Sequence, residues 1–145
     1  MRRILVVAML LPSLACLAYP AGAAEWMEVG NTPAVRILLD KNSIEPSGRT
    51  VRAWLKFAYR KAQSPQTISN GKPFDSSRNQ YWVDCGTRKY KVLQVQVYYR
   101  SDMVGSFSQD LDMNALEDGA SDPHVMSFLP RVCAAAGMDA AAASK

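Results

Sequence analysis

Hydrophobic and polar residues alternate most cleanly between Val51 and Arg60. Val51, Ala53, Leu55, Phe57 and Tyr59 fall on one face, and Arg52, Trp54, Lys56, Ala58 and Arg60 on the other. A period of two marks an antiparallel strand with one face buried. A second long strand is predicted over Arg88–Arg100, where Leu93, Val95, Val97 and Tyr99 alternate with Gln94, Gln96 and Tyr98. Ala34–Asp40 is rich in branched residues, Gln80–Cys85 resumes the strand pattern, and Met103–Phe107 reads as a hairpin partner. Trp26–Val29 is a short apolar stretch ahead of them, and turns are predicted at Gly30–Pro33, Lys41–Ser43 and Glu45–Arg49.

Two segments break the pattern. Residues 62–79 carry two prolines, Asn70-Gly71 and four serines, which predicts a long loop or a wide hairpin tip. A loop of that length is either a solvated connection or a binding element, and the residues favour neither. Residues 108–120 are acidic and irregular. Ser121-Asp122-Pro123 then forms a helix start, with an acid at the N-cap and proline in the first turn. Val125, Phe128, Leu129, Val132, Cys133 and Ala136 share one helical face, and Gly137 supplies the stop. Pro130 predicts a kink or a division into two short helices, because it lacks the N–H that the helix interior needs. The fold class is therefore α+β: an antiparallel sheet meander packed on a C-terminal helix. It forms a single domain over 24–137 with a disordered tail at 138–145.

The extreme N-terminus has a different pattern. Two arginines at Arg2 and Arg3, an apolar stretch from Ile4 to Leu17 and the small residues Ala21-Gly22-Ala23 predict a signal peptide over 1–23. Cys16 follows Ser13-Leu14-Ala15, so Ser13 stands where a lipid-attachment site needs an apolar residue, and a lipid anchor is not expected. No later run is long and apolar enough to span a membrane. The expected location is the periplasm or the outer cell surface.

Composition then narrows the chemistry. Of 145 residues, 17 are basic and 13 acidic, a net charge of +4. Without Arg2 and Arg3 the balance is 15 against 13, and it is unevenly spread. Residues 24–100 hold 13 basic and 6 acidic side chains, whereas 101–145 hold 2 and 7. This asymmetry suits a charged partner or self-association into a homo-oligomer, and equally a surface whose halves neutralise each other on folding. One histidine, His124, cannot build a triad or a multi-histidine metal site. The sequence has no metalloprotease, nucleophile-elbow or phosphate-loop motif. The acidic Asp110, Asp112, Glu117 and Asp118 lack the glycine of a calcium loop. No enzyme activity, cofactor or metal is expected.

Cleavage leaves two cysteines, Cys85 and Cys133, which in an oxidising compartment read as one disulfide. The other reading, a reactive thiol or redox pair, lacks a C-x-x-C arrangement. The candidate partner-binding residues are the cations Arg52, Lys56, Arg60, Arg88, Lys89 and Lys91 with Trp54 and Tyr90 between them. Such a face holds acidic protein segments or sulfated glycans, and export argues against nucleic acid. The same residues also fit ordinary outward charges that keep strand edges apart.

Several of these positions resemble the surface-adhesin protein E family of bacterial envelope proteins. They are Trp26, Asp40 with Ser43-Ile44, Gly48, and Val51, Trp54, Lys56 and Tyr59 along the long strand. The most specific are Asp84-Cys85 followed by Arg88, Lys89, Tyr90 and Leu93, with Val132-Cys133 later. The resemblance implies a sheet packed on a helix, an intramolecular disulfide, no catalysis and a surface role binding a host extracellular-matrix or plasma protein. Lys145, as a terminal lysine, has the chemistry that kringle domains of plasma proteins capture. The weak lipid-attachment site departs from a lipid-anchored adhesin and leaves open a periplasmic structural or assembly factor that binds an envelope protein or itself. Intact-mass measurement of the exported protein should give a chain that starts at Ala24; a mass that includes the first 23 residues would refute the signal peptide.

Overall fold

The computed structural model describes residues 23–138. The predicted leader up to residue 22 and the tail from residue 139, including Lys145, lie outside the described residues. Eight strands share one sheet: β1 (Trp26–Asn31), β2 (Val35–Asp40), β3 (Glu45–Ser47), β4 (Thr50–Gln63), β5 (Phe74–Asp84), β6 (Lys89–Tyr99), β7 (Asp102–Ser108) and β8 (Glu117–Asp118). Their spatial order is β1-β2-β4-β5-β6-β7, with β3 beside β4 and β8 beside β6, and every pair is antiparallel. Two helices complete the fold, α1 (Gln66–Ser69) and α2 (Pro123–Ala135). This is the expected α+β meander with its C-terminal helix.

Both helices lie on one face of the sheet. The strand alternation places Val51, Ala53, Leu55 and Phe57 of β4 toward α2, where they pack with Ile37, Leu39, Tyr81 and Val83. Helical spacing places Val125, Phe128, Leu129 and Val132 opposite them. Phe128 is fully buried and meets Phe57 and Tyr81 edge-on, with ring centroids 5.9 and 5.2 Å apart. Edge-to-face contact suits the ring quadrupoles, and removing such a ring from a core costs about 3–5 kcal/mol. On the same side α1 lies so close to β7 that a Cβ on Gly105 would sit 2.3 Å from the Ile68 carbonyl oxygen. Only a residue without a side chain permits that approach.

The structure departs from the sequence reading in four places. The expected loop 62–79 shrinks to residues 64–73, because β4 continues to Gln63 and β5 begins at Phe74. Ser76, Ser77 and Asn79 look like loop residues, yet they lie in a central strand whose backbone is paired on both sides. The alternation in β6 changes phase: Leu93 is an extra residue, so Tyr90 and Val92 face the helix before it and Val95 and Val97 after it. Within the acidic stretch, Glu117–Asp118 pairs with β6. Finally, α2 runs unbroken through Pro130, which is exposed. The helix is therefore not divided there, although proline supplies no N–H to the Met126 carbonyl.

The two cysteines form the disulfide, joining the end of β5 to α2 with Cα atoms 5.8 Å apart. It closes a loop of 48 residues, for which chain entropy predicts about 4 kcal/mol of stabilisation. Asp122 caps α2 by accepting the His124 and Val125 N–H groups, and Met138 closes it with an N–H to the Cys133 carbonyl. Replacing both cysteines with serine should lower the thermal midpoint on the order of 10–20 °C in calorimetry. An unchanged midpoint would show that the bridge contributes nothing to the fold.

Candidate binding face

Because both helices use one face, the other carries the strands' outward residues, and neither described helix packs on it. Cross-strand register fixes its layout. Trp26 stands opposite Asp40, Trp54 opposite Gln80, and Lys56 opposite Arg78, which in turn faces Gln96. Arg52 pairs with Trp82, which pairs with Lys91. All three tryptophans are thus on the same side of the sheet. Trp26 and Trp54 are half-buried, while Trp82 is 7% exposed, in a recess with Glu45, Pro46 and Arg52.

Arg78 is the centre of the arrangement. Its guanidinium carbon lies 5.6 Å from the centre of the Trp26 ring and 5.5 Å from that of Tyr98. A cation between two aromatic faces is attracted by both quadrupoles, by about 0.5–1 kcal/mol each at an exposed site. The ion pairs among the described residues are Lys41–Glu25 and Arg49–Asp84. Neither involves Arg52, Lys56, Arg78 or Arg100, although Arg52 stands opposite Glu45 in the β3–β4 register.

The predicted residues separate into groups. Arg52, Trp54 and Lys56 come together on the open face as the alternation implied. Lys91 joins their edge, but its ammonium donates to the Ala115 carbonyl at 3.2 Å. Lys89 is exposed at the rim, opposite Asp84 and Asp118. Arg88 lies in the β5–β6 turn with a φ of 60°, and its carbonyl holds the Gly119 N–H. Arg60 sits past the paired stretch of β4 and donates to Asn31 and Thr32. Lys145 lies outside the described residues. His124 is exposed in the first turn of α2, and among the described residues no three His, Cys, Asp or Glu side chains gather as metal ligands.

Tyr90 does not belong to this face. It points to the helix side, is 5% exposed, and its hydroxyl donates to Glu117 at 2.9 Å and to the cap residue Asp122 at 3.3 Å. The phase change at Leu93 is the reason: counted back from Gln94 and Gln96, position 90 would be outward. Sequence reasoning also missed Arg78, Tyr98, Arg100 and Trp26. Arg78 was hidden in the expected loop. One signal could have found it, since a strand as long as β4 needs a partner of matching length.

A model of the family described as surface-adhesin protein E matches residues 26–133. The chain belongs to the surface-adhesin protein E family. The match runs from the first tryptophan of the open face to the second cysteine of the disulfide, and so takes in the whole sheet and nearly all of α2. No curated protein and no solved structure matches the chain.

The polar contacts on the helix side of this adhesin E domain set its response to alkali. Burial pushes the Tyr90 phenol well above its ordinary value, and the Glu117 carboxylate beside it adds to the effect. Burial likewise raises Tyr81 and Tyr59, the latter partly offset by its hydrogen bond with Ser77. For a phenol raised on folding, the unfolded chain loses its proton first, so stability holds below about pH 10 and falls as pH rises beyond it. Denaturant titrations should therefore show a midpoint that drops above about pH 10, less steeply in Tyr90→Phe. Equal slopes for the two proteins would rule out Tyr90 as a contributor.

Proposed function

We propose that this protein is a non-catalytic, exported binding module that holds a host extracellular-matrix or plasma protein on the open face of its sheet. The observation that carries the reading is the Trp26–Arg78–Tyr98 sandwich, with Trp54, Lys56 and Arg52 around it. Tryptophan, tyrosine and arginine are the residues that dominate protein–protein contacts when a partner excludes water from them. Here they occupy a face with no helix over it among the described residues, and Arg52, Lys56 and Arg78 there form no ion pair. That charge favours an acidic partner surface and faster encounter at low salt. Family membership supports adhesion over catalysis, and surface display is part of the same proposal.

Purified mature protein should capture members of a panel of host matrix and plasma proteins on a sensor surface, with affinity falling as salt rises. Arg78→Ala and Trp54→Ala should each weaken capture about tenfold or more, while Lys72→Ala, away from the face, leaves it unchanged. Capture unaffected by either face variant would refute the site. On intact cells, added protease should cleave the protein. Protection until the outer membrane is opened would refute a host partner and point instead to an envelope protein or a second copy.

A further inference from the structure

Two recesses on the open face share Arg78, and their linings differ. The first, about 240 Å³, is formed by Trp26, Trp54, Asp40 and Gln96 with Arg78. Its indole faces offer flat apolar surface beside one carboxylate and one amide. The second, about 450 Å³, brings Lys56, Arg78 and Arg100 around the hydroxyl-bearing Ser76, Ser101 and Tyr98. No residue of this trio was placed with the others by the chain order, since each comes from a different strand or turn.

The second recess is held in shape at some cost. Arg100 and Ser101 form the tight β6–β7 turn with φ of 50° and 77°, a left-handed geometry that asparagine and glycine adopt most easily. The recess has a single carboxylate, Asp75, and it is engaged: one oxygen accepts the Arg100 backbone N–H at 3.1 Å and the other the Ser76 hydroxyl at 3.3 Å. Asp75 therefore fixes the turn without forming an ion pair with Lys56, Arg78 or Arg100, and the Arg100 guanidinium lies over the Tyr99 ring, 5.2 Å from its centre. Strained backbone that presents a charge is a recurring property of binding sites.

We propose that the paired recesses bind an acidic oligosaccharide, with a sugar ring on the Trp26–Trp54 side and the sulfate or carboxylate of the adjoining ring at Lys56, Arg78 and Arg100. Sugar rings present C–H groups that pack on the negative face of an indole, and their hydroxyls pair with Asp40 and Gln96. Arginine and lysine supply charge-assisted donors to an oxyanion, with the Ser101 hydroxyl beside them. A polyglutamate peptide also satisfies the cations but brings no ring face to the indoles, so the aromatic recess favours the glycan. This ligand goes beyond the protein partner proposed above, although it rests on the same face being accessible.

Titration calorimetry of the mature protein with a heparin-derived hexasaccharide tests it, with the desulfated hexasaccharide and a hexaglutamate as comparisons. The sulfated sugar should bind at least tenfold more tightly than either. Arg100→Ala and Lys56→Gln, checked for native circular dichroism, should each weaken it several-fold, and Trp54→Ala should do so without changing the number of charges. No binding, equal binding of hexaglutamate, or indifference to all three variants would overturn the proposal. Capture of an unglycosylated matrix protein, measured with the same preparation, separates the two readings. Capture without sugar binding overturns the glycan site alone, and sugar binding without capture overturns the protein partner alone.

Discussion

One helix of 13 residues has to cover a sheet of eight strands. It can shield only one face, and everything else in the molecule follows from that shortage of cover. The buried side is packed with aliphatic and aromatic residues to full closure, centred on Phe128 between Phe57 and Tyr81. Because this core is thin, the helix is held by more than packing. The disulfide fixes its C-terminal half to β5, and the Tyr90 hydroxyl joins β6, the Glu117 strand and the N-terminal cap of the same helix. The opposite side has no helix over it, and there the chain has placed its three tryptophans, Trp82 buried and the other two half-buried, beside Arg52, Lys56 and Arg78.

The half-buried indoles of Trp26 and Trp54 have cations beside them. Arg78 lies against Trp26 and Tyr98, and Lys56 and Arg52 flank Trp54 and Trp82 in neighbouring rows. The cations keep the aromatic surface hydrated and separate it from like surfaces on other copies. The same pairing makes the face sensitive to a partner that can both neutralise charge and cover apolar area. On the proposed binding reading, stability and recognition are divided between the two sides of one sheet, with β4 and β5 serving both through their alternating residues.

Much of this was legible in the chain before any coordinates. The period of two in Val51–Arg60 assigned each residue of β4 to its correct face, the Asp122-Pro123 signal located the start of α2, and the cysteine count gave the bridge. What failed did so for physical reasons. Serine and asparagine in β5 read as loop because their preference is local, while a central strand is held by hydrogen bonds to both neighbours. The added residue at Leu93 reversed the phase of β6, and no composition rule announces a bulge; Tyr90 was misplaced as a result. Pro130 pointed to a kink or to two short helices, and the division does not occur, since on the solvent side of a helix anchored at both ends the lost bond is tolerated.

The turn at Arg100-Ser101 has an evolutionary consequence. An Asn-Gly pair would relieve its backbone and make the hairpin sturdier, so selection for robustness alone would drift toward that dipeptide. A chain that keeps arginine there gives up some of its safety margin to hold a guanidinium at the lip of the recess. On the glycan proposal, relatives without that ligand should be the ones in which this corner takes the relaxed form.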